Sequence, residues 1–374
     1  MNDRLNARLG SAWIEVSRAA LRHNFRAVQA LAGRDVQTIA VVKANAFGHG
    51  AGDTARVFQD AGADFFAVTT PAEALELRDA GITGRILVFL PPLPDQIDAL
   101  LEAGCDLTVC DGETVAAVSD AAGRRGVTAS VQLKADTGMG RLGALPGDAP
   151  AVARQIADAP ALRFAGVYTH FARALEKDEA ATRKQFAVFQ KVLAEMEADK
   201  INPGLRHCVN SAALVRFPEM RLDAVRPGTI LYGQYPSAAV PRSLALQDTW
   251  RMRARIVSVR DLPAGSSLGY GGEFVTRRAS KIAVLPVGYA DGFTAAPQSA
   301  SRGLRGLRQL FKPAPVTVTV GSKRALVVGR VAMQTCLVDV TDIPAVKAGD
   351  LVGIPARRLM ASARLPRVFV EHFE

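Results

Sequence analysis

The sequence predicts an α/β protein of two parts: an N-terminal (β/α)8 TIM-type barrel over residues 14–245, then a C-terminal all-β domain over 246–374, to which an N-terminal strand in residues 1–13 could be added. Three features of the chain predict this. Between about residue 36 and residue 235, short β-rich runs alternate with Ala-rich amphipathic stretches, and eight such alternations suit a closed barrel better than an open doubly wound sheet. No G-x-G-x-x-G follows the first run, which weakens a dinucleotide-binding reading. Beyond about residue 245, strand-like runs are separated by Pro, Gly and Asp turns, with no long helical pattern.

In chain order, the expected barrel strands are 38–42, 65–70, 85–90, 107–110, 130–135, 164–170, 207–210 and 224–226. Their Val/Ile/Leu content and shortness fit strands buried on both faces. Helices are expected over 71–80, 94–103, 112–122 and 180–198. In the second part, strands are expected over 250–259, 281–287, 316–320, 325–328 and 336–340. The early run 13–16 reads as a strand that could pair with the barrel.

With 374 residues, two domains are the natural division, and 49% hydrophobic residues suffice for sizeable cores. No stretch approaches a membrane span, and the first residues lack the apolar core of a signal peptide. Cys105, Cys110, Cys208 and Cys336 lack metal-ligand spacing and read as reduced thiols of a cytoplasmic protein. The net charge of +10 and the cluster Arg302, Arg305, Arg308 and Lys312 invite a nucleic-acid partner. No aromatic or zinc-type recognition element accompanies them, so a positive field that draws small anionic substrates is the preferred meaning.

In a barrel, chemistry collects where strands run into their following loops. The first strand ends at Lys43, at the head of K-A-N-A-F-G-H-G. A lysine at the mouth of a buried strand is partly desolvated, which lowers its pKa and frees its amine for a carbonyl or for a proton. Read alone, Lys43 serves equally as a strand-end lysine that snorkels to water. The fifth strand carries Lys134 and runs into Asp136 and Arg141, and the sixth ends at His170. The seventh ends at Asn210 and Ser211, and the eighth at Arg226, Gly228 and Thr229. Individually, His170 reads as a structural histidine, Arg226 as a cap or ion pair, Ser211 as a helix cap and Gly228-Thr229 as a turn. Converging on one barrel face, they suit pyridoxal 5'-phosphate (PLP): Lys43 for its aldehyde, Ser211 and the Gly228-Thr229 turn for its phosphate, and Arg226 for its ring nitrogen. An arginine there cannot accept the nitrogen's proton and keeps the ring a weaker electron sink, which suits racemisation. In the second part, Tyr270 lies in the glycine-rich S-L-G-Y-G-G, where close approach to another surface is sterically open. It reads equally as a structural loop residue, and a phenol, which ionises only near pH 10 or so, needs neighbouring cations to act as a base.

These motifs together resemble the alanine racemase family over about residues 13–369. The chain has K-A-D-T-G-M-G-R-L-G at 134–143, Y-T-H-F-A at 168–172, N-S-A-A at 210–213, V-R-P-G at 225–228 and L-Y-G at 231–233. It also has V-G-Y-A-D-G at 287–292 and V-G-R-V-A-M at 328–333. The resemblance implies a homodimeric, cytoplasmic PLP enzyme that interconverts L- and D-alanine, a small-molecule substrate, and supplies D-alanine for peptidoglycan. It implies that Lys43 holds PLP and serves one face of the substrate, while Tyr270 of the partner subunit serves the other. By the same resemblance, Arg226 contacts the ring nitrogen, His170 links it to Tyr270, and Arg141 lies near the cofactor phenolate and the substrate carboxylate. Lys134 matches a position often carbamylated, and Met333 offers its backbone N–H across the dimer to the substrate carboxylate.

The chain departs from the family pattern at Phe47, where a phosphate-facing tyrosine is usual, and at Ala363, in the place of a second tyrosine. Gln334 replaces an aspartate, Ala295 falls where a substrate-channel arginine is common, and residues 351–362 are shorter than usual. A racemase with a range reaching serine or larger side chains is therefore one alternative, and a non-catalytic PLP-binding protein is another. A decarboxylase of this fold type would need a carboxylate where Arg226 stands.

Overall fold

The structure, a computed structural model, describes residues 10–295 and 315–373. The Arg302, Arg305, Arg308 and Lys312 cluster lies outside the described residues. The chain divides into two compact units, residues 18–249 and residues 1–17 with 250–374.

The first unit is the barrel. Its parallel strands follow chain order: Phe65–Val68, Arg85–Val88, Asp106–Val109, Ala129–Lys134, Leu162–Tyr168, Leu205–Asn210 and Ala224–Arg226. The ring closes through the first strand, which is split in two. Gln37–Thr38 pairs with Ala224–Arg226, whereas Ala40–Val41 pairs with Phe65–Val68. Ile39 N donates to Val225 O (2.8 Å) and Val42 N to Ala67 O (2.9 Å), so this one chain passage is bonded on both sides. The bore is filled by Ile39, Val41, Phe65, Ala67, Leu87, Tyr168 and Ala224. Burying each large apolar side chain contributes about 1.5–3 kcal/mol. Helices cover the outside. Pro71–Asp79 starts with a reciprocal Thr70/Glu73 capping box, and Gly112–Arg125 starts at an Asp111 cap and stops at Gly126 in the left-handed conformation. The expected helices are present; Arg18–Ala32, Ala51–Asp60 and Ala149–Asp158 are additional.

The second unit is a nine-stranded sheet of order Ser258–Leu262, Ser280–Leu285, Cys336–Asp339, Lys323–Val328, Thr317–Val320, Leu351–Ile354, Trp250–Arg255, Ala12–Ser17, Arg367–Val370. The early strand does not join the barrel, as it could have. It lies antiparallel to Trp250–Arg255 and parallel to Arg367–Val370. With every one of its residues buried but one, Ala12–Ser17 needs a partner on both edges, which this sheet supplies. The single expected strand 250–259 is broken into Trp250–Arg255 and Ser258–Leu262. A separate hairpin, Ser267–Leu268 with Phe274–Val275, packs on Ile282 and Val328 and carries Tyr270 at its tip.

All four cysteines are free. No helix among the described residues is long and apolar enough to cross a membrane.

Candidate active site

Lys43 follows directly on the first barrel strand, and the backbone after it turns the wrong way round. Ala44, Asn45, Ala46 and Phe47 all adopt left-handed backbone, with φ of 50–54° and ψ of 35–53°. Such a conformation costs an L-residue about 1–2 kcal/mol, and none of the four is glycine. Specific bonds hold the turn. Glu73 Oε1 accepts from Ala44 N (2.6 Å), Asn45 Oδ1 accepts from Ala51 N (2.7 Å), and Ala46 N donates to Val42 O (2.8 Å). The Phe47 ring packs on Tyr232 at 4.8 Å, and Tyr232 Oη donates to Val41 O (3.0 Å). Thus the helix-capping Glu73 also fixes the segment that presents Lys43.

The barrel mouth holds a cavity of about 470 Å³. Lys43, Lys134, His170, Asn210, Ser211, Arg226, Gly228, Thr229 and Arg141 all line it, which unites every barrel residue expected at the site. Its charged lining is Lys43, Lys134, Arg141 and Arg226, and no carboxylate faces it among the described residues. Burial, then the charge of Arg141 and to a lesser degree that of Arg226, lower the Lys43 pKa, and Glu73 opposes them. Lys134 is brought down to about 8 by burial and by Arg141. His170 falls to about 3 through burial and the surrounding cations, and is neutral near pH 7.

Arg226 is buried, and burial brings its pKa to about 10, which leaves it charged near neutrality. Its hydrogen bonds within the barrel run to His207 and to the backbone of Thr169. Among the described residues it makes no hydrogen bond to His170. It donates from Nη1 to His207 Nδ1 (2.5 Å) and His207 O (3.0 Å), and from Nη2 to Thr169 O (2.6 Å). Because His207 Nδ1 accepts, its proton sits on Nε2, which donates to Gln132 Oε1 (2.8 Å). Gln132 Nε2 then donates to Asp106 Oδ2 (2.7 Å), which Arg85 also pairs at 2.6 Å. The result is a one-directional chain of donors through the barrel interior. The His207 ring stacks on Tyr168 at 5.1 Å and 5°. Tyr168 Oη bonds Thr108 Oγ1 (2.8 Å), and burial raises its pKa. His207, Gln132, Asp106 and Glu73 were not singled out by the sequence. Polar residues inside otherwise apolar strands were the available signal for the first three, and the Thr70-Pro-Ala-Glu73 capping pattern for the fourth.

Asp136 organises the loop that carries Arg141. Its Oδ1 accepts from the N–H groups of Gly138 (3.0 Å), Met139 (2.7 Å) and Gly140 (3.1 Å), and Oδ2 from Arg141 N (3.1 Å). Burial opposes ionisation of this carboxyl, but the four backbone donors prevail and lower its pKa.

The Asn210, Ser211 and Gly228 positions act partly on one another. Asn210 Oδ1 caps the Ser211–Arg216 helix by accepting from Ala212 N and Ala213 N, each at 3.1 Å. Gly228 N donates to Ser211 Oγ (2.8 Å). What Gly228 supplies is room, since a Cβ there would lie 2.9 Å from the Phe47 ring. Ser211 Oγ thereby accepts one bond, and its own proton has no acceptor among the described residues. A buried hydroxyl with a proton to give, the Thr229 side chain and a carboxylate-free set of cations fit the phosphate and phenolate of PLP, and the low-pKa amine of Lys43 fits its aldehyde.

In the second unit, Tyr270 is 71% exposed, between Gly269 (φ 71°) and Gly271 (φ 70°). Its hairpin sits against Gly329, where a Cβ would come within 3.1 Å of Leu268 O. Arg330, the next residue, pairs with Glu273 of the same hairpin. Tyr289 N donates to Ala332 O (3.1 Å) and Ala290 N to Met333 O (3.0 Å), so the loops carrying Tyr289 and Met333 are stitched together. Tyr289 and Met333 are 54% and 58% exposed.

The family models for the alanine racemase N-terminal domain and C-terminal domain match residues 16–236 and 249–363. The chain is 42% identical over 342 residues to the alanine racemase of Desulforamulus reducens, spanning 91% of this chain and 88% of that one. The alanine racemase of Clostridium difficile superposes with a TM-score of 0.88 at 28% identity, covering 96% of both chains. That of Bacillus anthracis with bound L-Ala-P superposes at 0.83 with 30% identity, covering 96% of this chain and 95% of that one. Two matching domain models and relatives of this similarity along almost the whole chain place it in the alanine racemase family.

Proposed function

We propose that this chain is a PLP-dependent isomerase that interconverts L- and D-alanine, with Lys43 and a partner subunit's Tyr270 as the two proton-transferring groups. The observation that carries the reading is the Lys43 amine, its pKa lowered by burial, in a cavity whose charged lining among the described residues is cationic. PLP, when bound, supplies the electron sink that makes the Cα proton of the amino acid removable. Lys43 attaches the cofactor and then, as a neutral amine, takes or returns the proton on one face. Ser211 and Thr229 hold the phosphate. Arg226 partners the ring nitrogen as a donor that stays charged, so that side cannot store a proton. His207 fixes the guanidinium in place. Arg141, on the Asp136-organised loop, attracts the substrate carboxylate. His170, neutral through burial and then its cationic surroundings, is available as a hydrogen-bond relay. Lys134 is a site for carbamylation: burial leaves part of its amine neutral, and the neutral amine adds CO2 and releases a proton.

Homodimerisation is supported by the exposed Tyr270, Tyr289 and Met333 on mutually stitched loops, which a second copy would cover while receiving Tyr270 and the Met333 backbone. Four free cysteines support a cytoplasmic location, and D-alanine for peptidoglycan is the purpose such a product would serve. A wider side-chain range is the second reading, favoured by the small, exposed Ala363.

Chiral chromatography tests the activity. The PLP-loaded protein given L-alanine should form D-alanine until the enantiomers are equal, and single-enantiomer serine measures the range. Absence of racemisation with PLP attached to Lys43 would establish the carrier reading instead.

A further inference from the structure

The 171–179 loop that follows the sixth barrel strand has no regular structure, yet it is tied down by side chains from elsewhere in the unit. The buried Arg216 side chain, 6% exposed, serves as its hub. Its guanidinium donates to Ala174 O (2.8 Å), to Glu176 O and to Lys177 O (3.0 Å), and it pairs with Glu179 Oε1 at 3.3 Å. Ser237 Oγ donates to Leu175 O (2.5 Å). Gln185 fixes the start of the loop, accepting from Ala172 N (2.9 Å) and donating to His170 O (3.3 Å). A planar guanidinium with five divergent N–H bonds is well suited to meet three carbonyls and a carboxylate at once. The outward-facing Arg173–Glu176 pair is half exposed and adds little.

Leu175, held between these anchors, is 48% exposed and lines the cavity. Arg216 is the last residue of the short helix that opens with Ser211. One six-residue helix therefore offers a hydroxyl to the anion at one end and grips the Leu175 loop at the other. At Phe47 the chain has no hydroxyl to offer the cavity, so holding a phosphate depends more on keeping water out.

We infer that Arg216 and Ser237 strap the 171–179 loop so that Leu175 roofs the PLP cavity, and that this strap sets how long the cofactor is retained. The inference rests on the reading of the cavity as the PLP site. Arg216 is a positioning residue here, acting through Leu175.

The test is the rate at which PLP leaves PLP-loaded protein transferred to PLP-free buffer, followed by cofactor absorbance alongside the melting temperature of each variant. Arg216→Ala and Leu175→Ala should release PLP about tenfold faster than wild type and Ser237→Ala about threefold, with Arg216→Lys in between. The partial rescue by lysine and the matching behaviour of Leu175→Ala, at unchanged melting temperature, separate the strap from a general loss of fold. Should Arg216→Ala fail to fold, Leu175→Ala and Ser237→Ala decide. Wild-type release rates in these variants overturn the strap. A wild type that takes up no PLP overturns the cavity reading, and this inference with it.

Discussion

The barrel mouth and the Tyr270 face carry their functional groups in opposite ways. In the barrel, burial and neighbouring cations shift Lys43, Lys134 and His170, burial shifts Arg226, and His207 and Glu73 hold Arg226 and the turn that follows Lys43. In the β unit, Tyr270, Tyr289 and Met333 stand exposed on tightly stitched loops. One region is a cavity whose groups are already shifted; the other is an exposed surface. The chemistry proposed above, which needs both an amine of lowered pKa and a hydroxyl on the opposite face, would thus be divided between a cavity and a surface.

The sharpest break of this contrast is to remove one group from each region. Lys43→Ala and Tyr270→Phe should each lower the racemisation rate by roughly 10²–10⁴-fold, the range of a lost acid–base group, and Lys43→Ala should abolish borohydride-fixed PLP. Refolded together, the two inactive variants should recover a fraction of the activity, because one site of each heterodimer has both groups intact. Verified heterodimers without recovery would end the division of labour.

Next comes the support of Arg226. His207→Leu removes the acceptor at 2.5 Å and strands a buried guanidinium N–H, so a stability loss of about 1–3 kcal/mol is expected in denaturant melts. Activity should fall more than PLP binding does. A stability equal to wild type would mean that Thr169 O and His207 O suffice.

Lys134 gives a pH signature of the buried region. Its folded pKa lies near 8 against 10.5 for a free lysine, so the unfolded chain holds more protons between those values. Burial of this charge therefore costs stability in full below about pH 8, and the cost disappears as the pH rises towards 10.5. For this 4%-exposed side chain it amounts to roughly 3 kcal/mol. In CO2-free buffer, stability of the wild type relative to Lys134→Gln should climb over that window, and a flat difference would refute the burial account.

The smallest effect is expected at Phe47. Phe47→Tyr restores a hydroxyl beside Gly228 and should tighten PLP binding by about tenfold or less, read by equilibrium titration. The ring already comes near the backbone at Gly228, so part of the gain is lost to crowding.

Much of the barrel was legible because strands buried on both faces read as apolar runs, and their ends expose the polar residues in order: Lys43, Lys134, His170, Asn210 and Arg226. The left-handed turn at 44–47 was not legible, since no glycine marks it and only tertiary bonds such as Glu73 to Ala44 sustain it. His207 was seen as part of a strand but not as the holder of Arg226. Its role depends on which way a side chain faces across the ring, and that is fixed by closure of the barrel. The Leu351–Ile354 and Arg367–Val370 strands went unseen because each has only four residues, and arginine and glycine dilute the apolar signal. The destination of Ala12–Ser17 was invisible for a different reason: an apolar run says that a strand needs neighbours, not which ones.

That strand has a consequence for synthesis. Ala12–Ser17 is paired only with segments beginning at Trp250 and at Arg367. At a synthesis rate of about 5–20 residues per second, its first partner emerges on the order of ten seconds to a minute later. The residues of the barrel unit come out in between and can fold as a local set of neighbouring strands. Throughout that interval the apolar Trp13, Ile14 and Val16 have not met the strands that pair with them, which leaves an unpaired edge of the kind that favours aggregation.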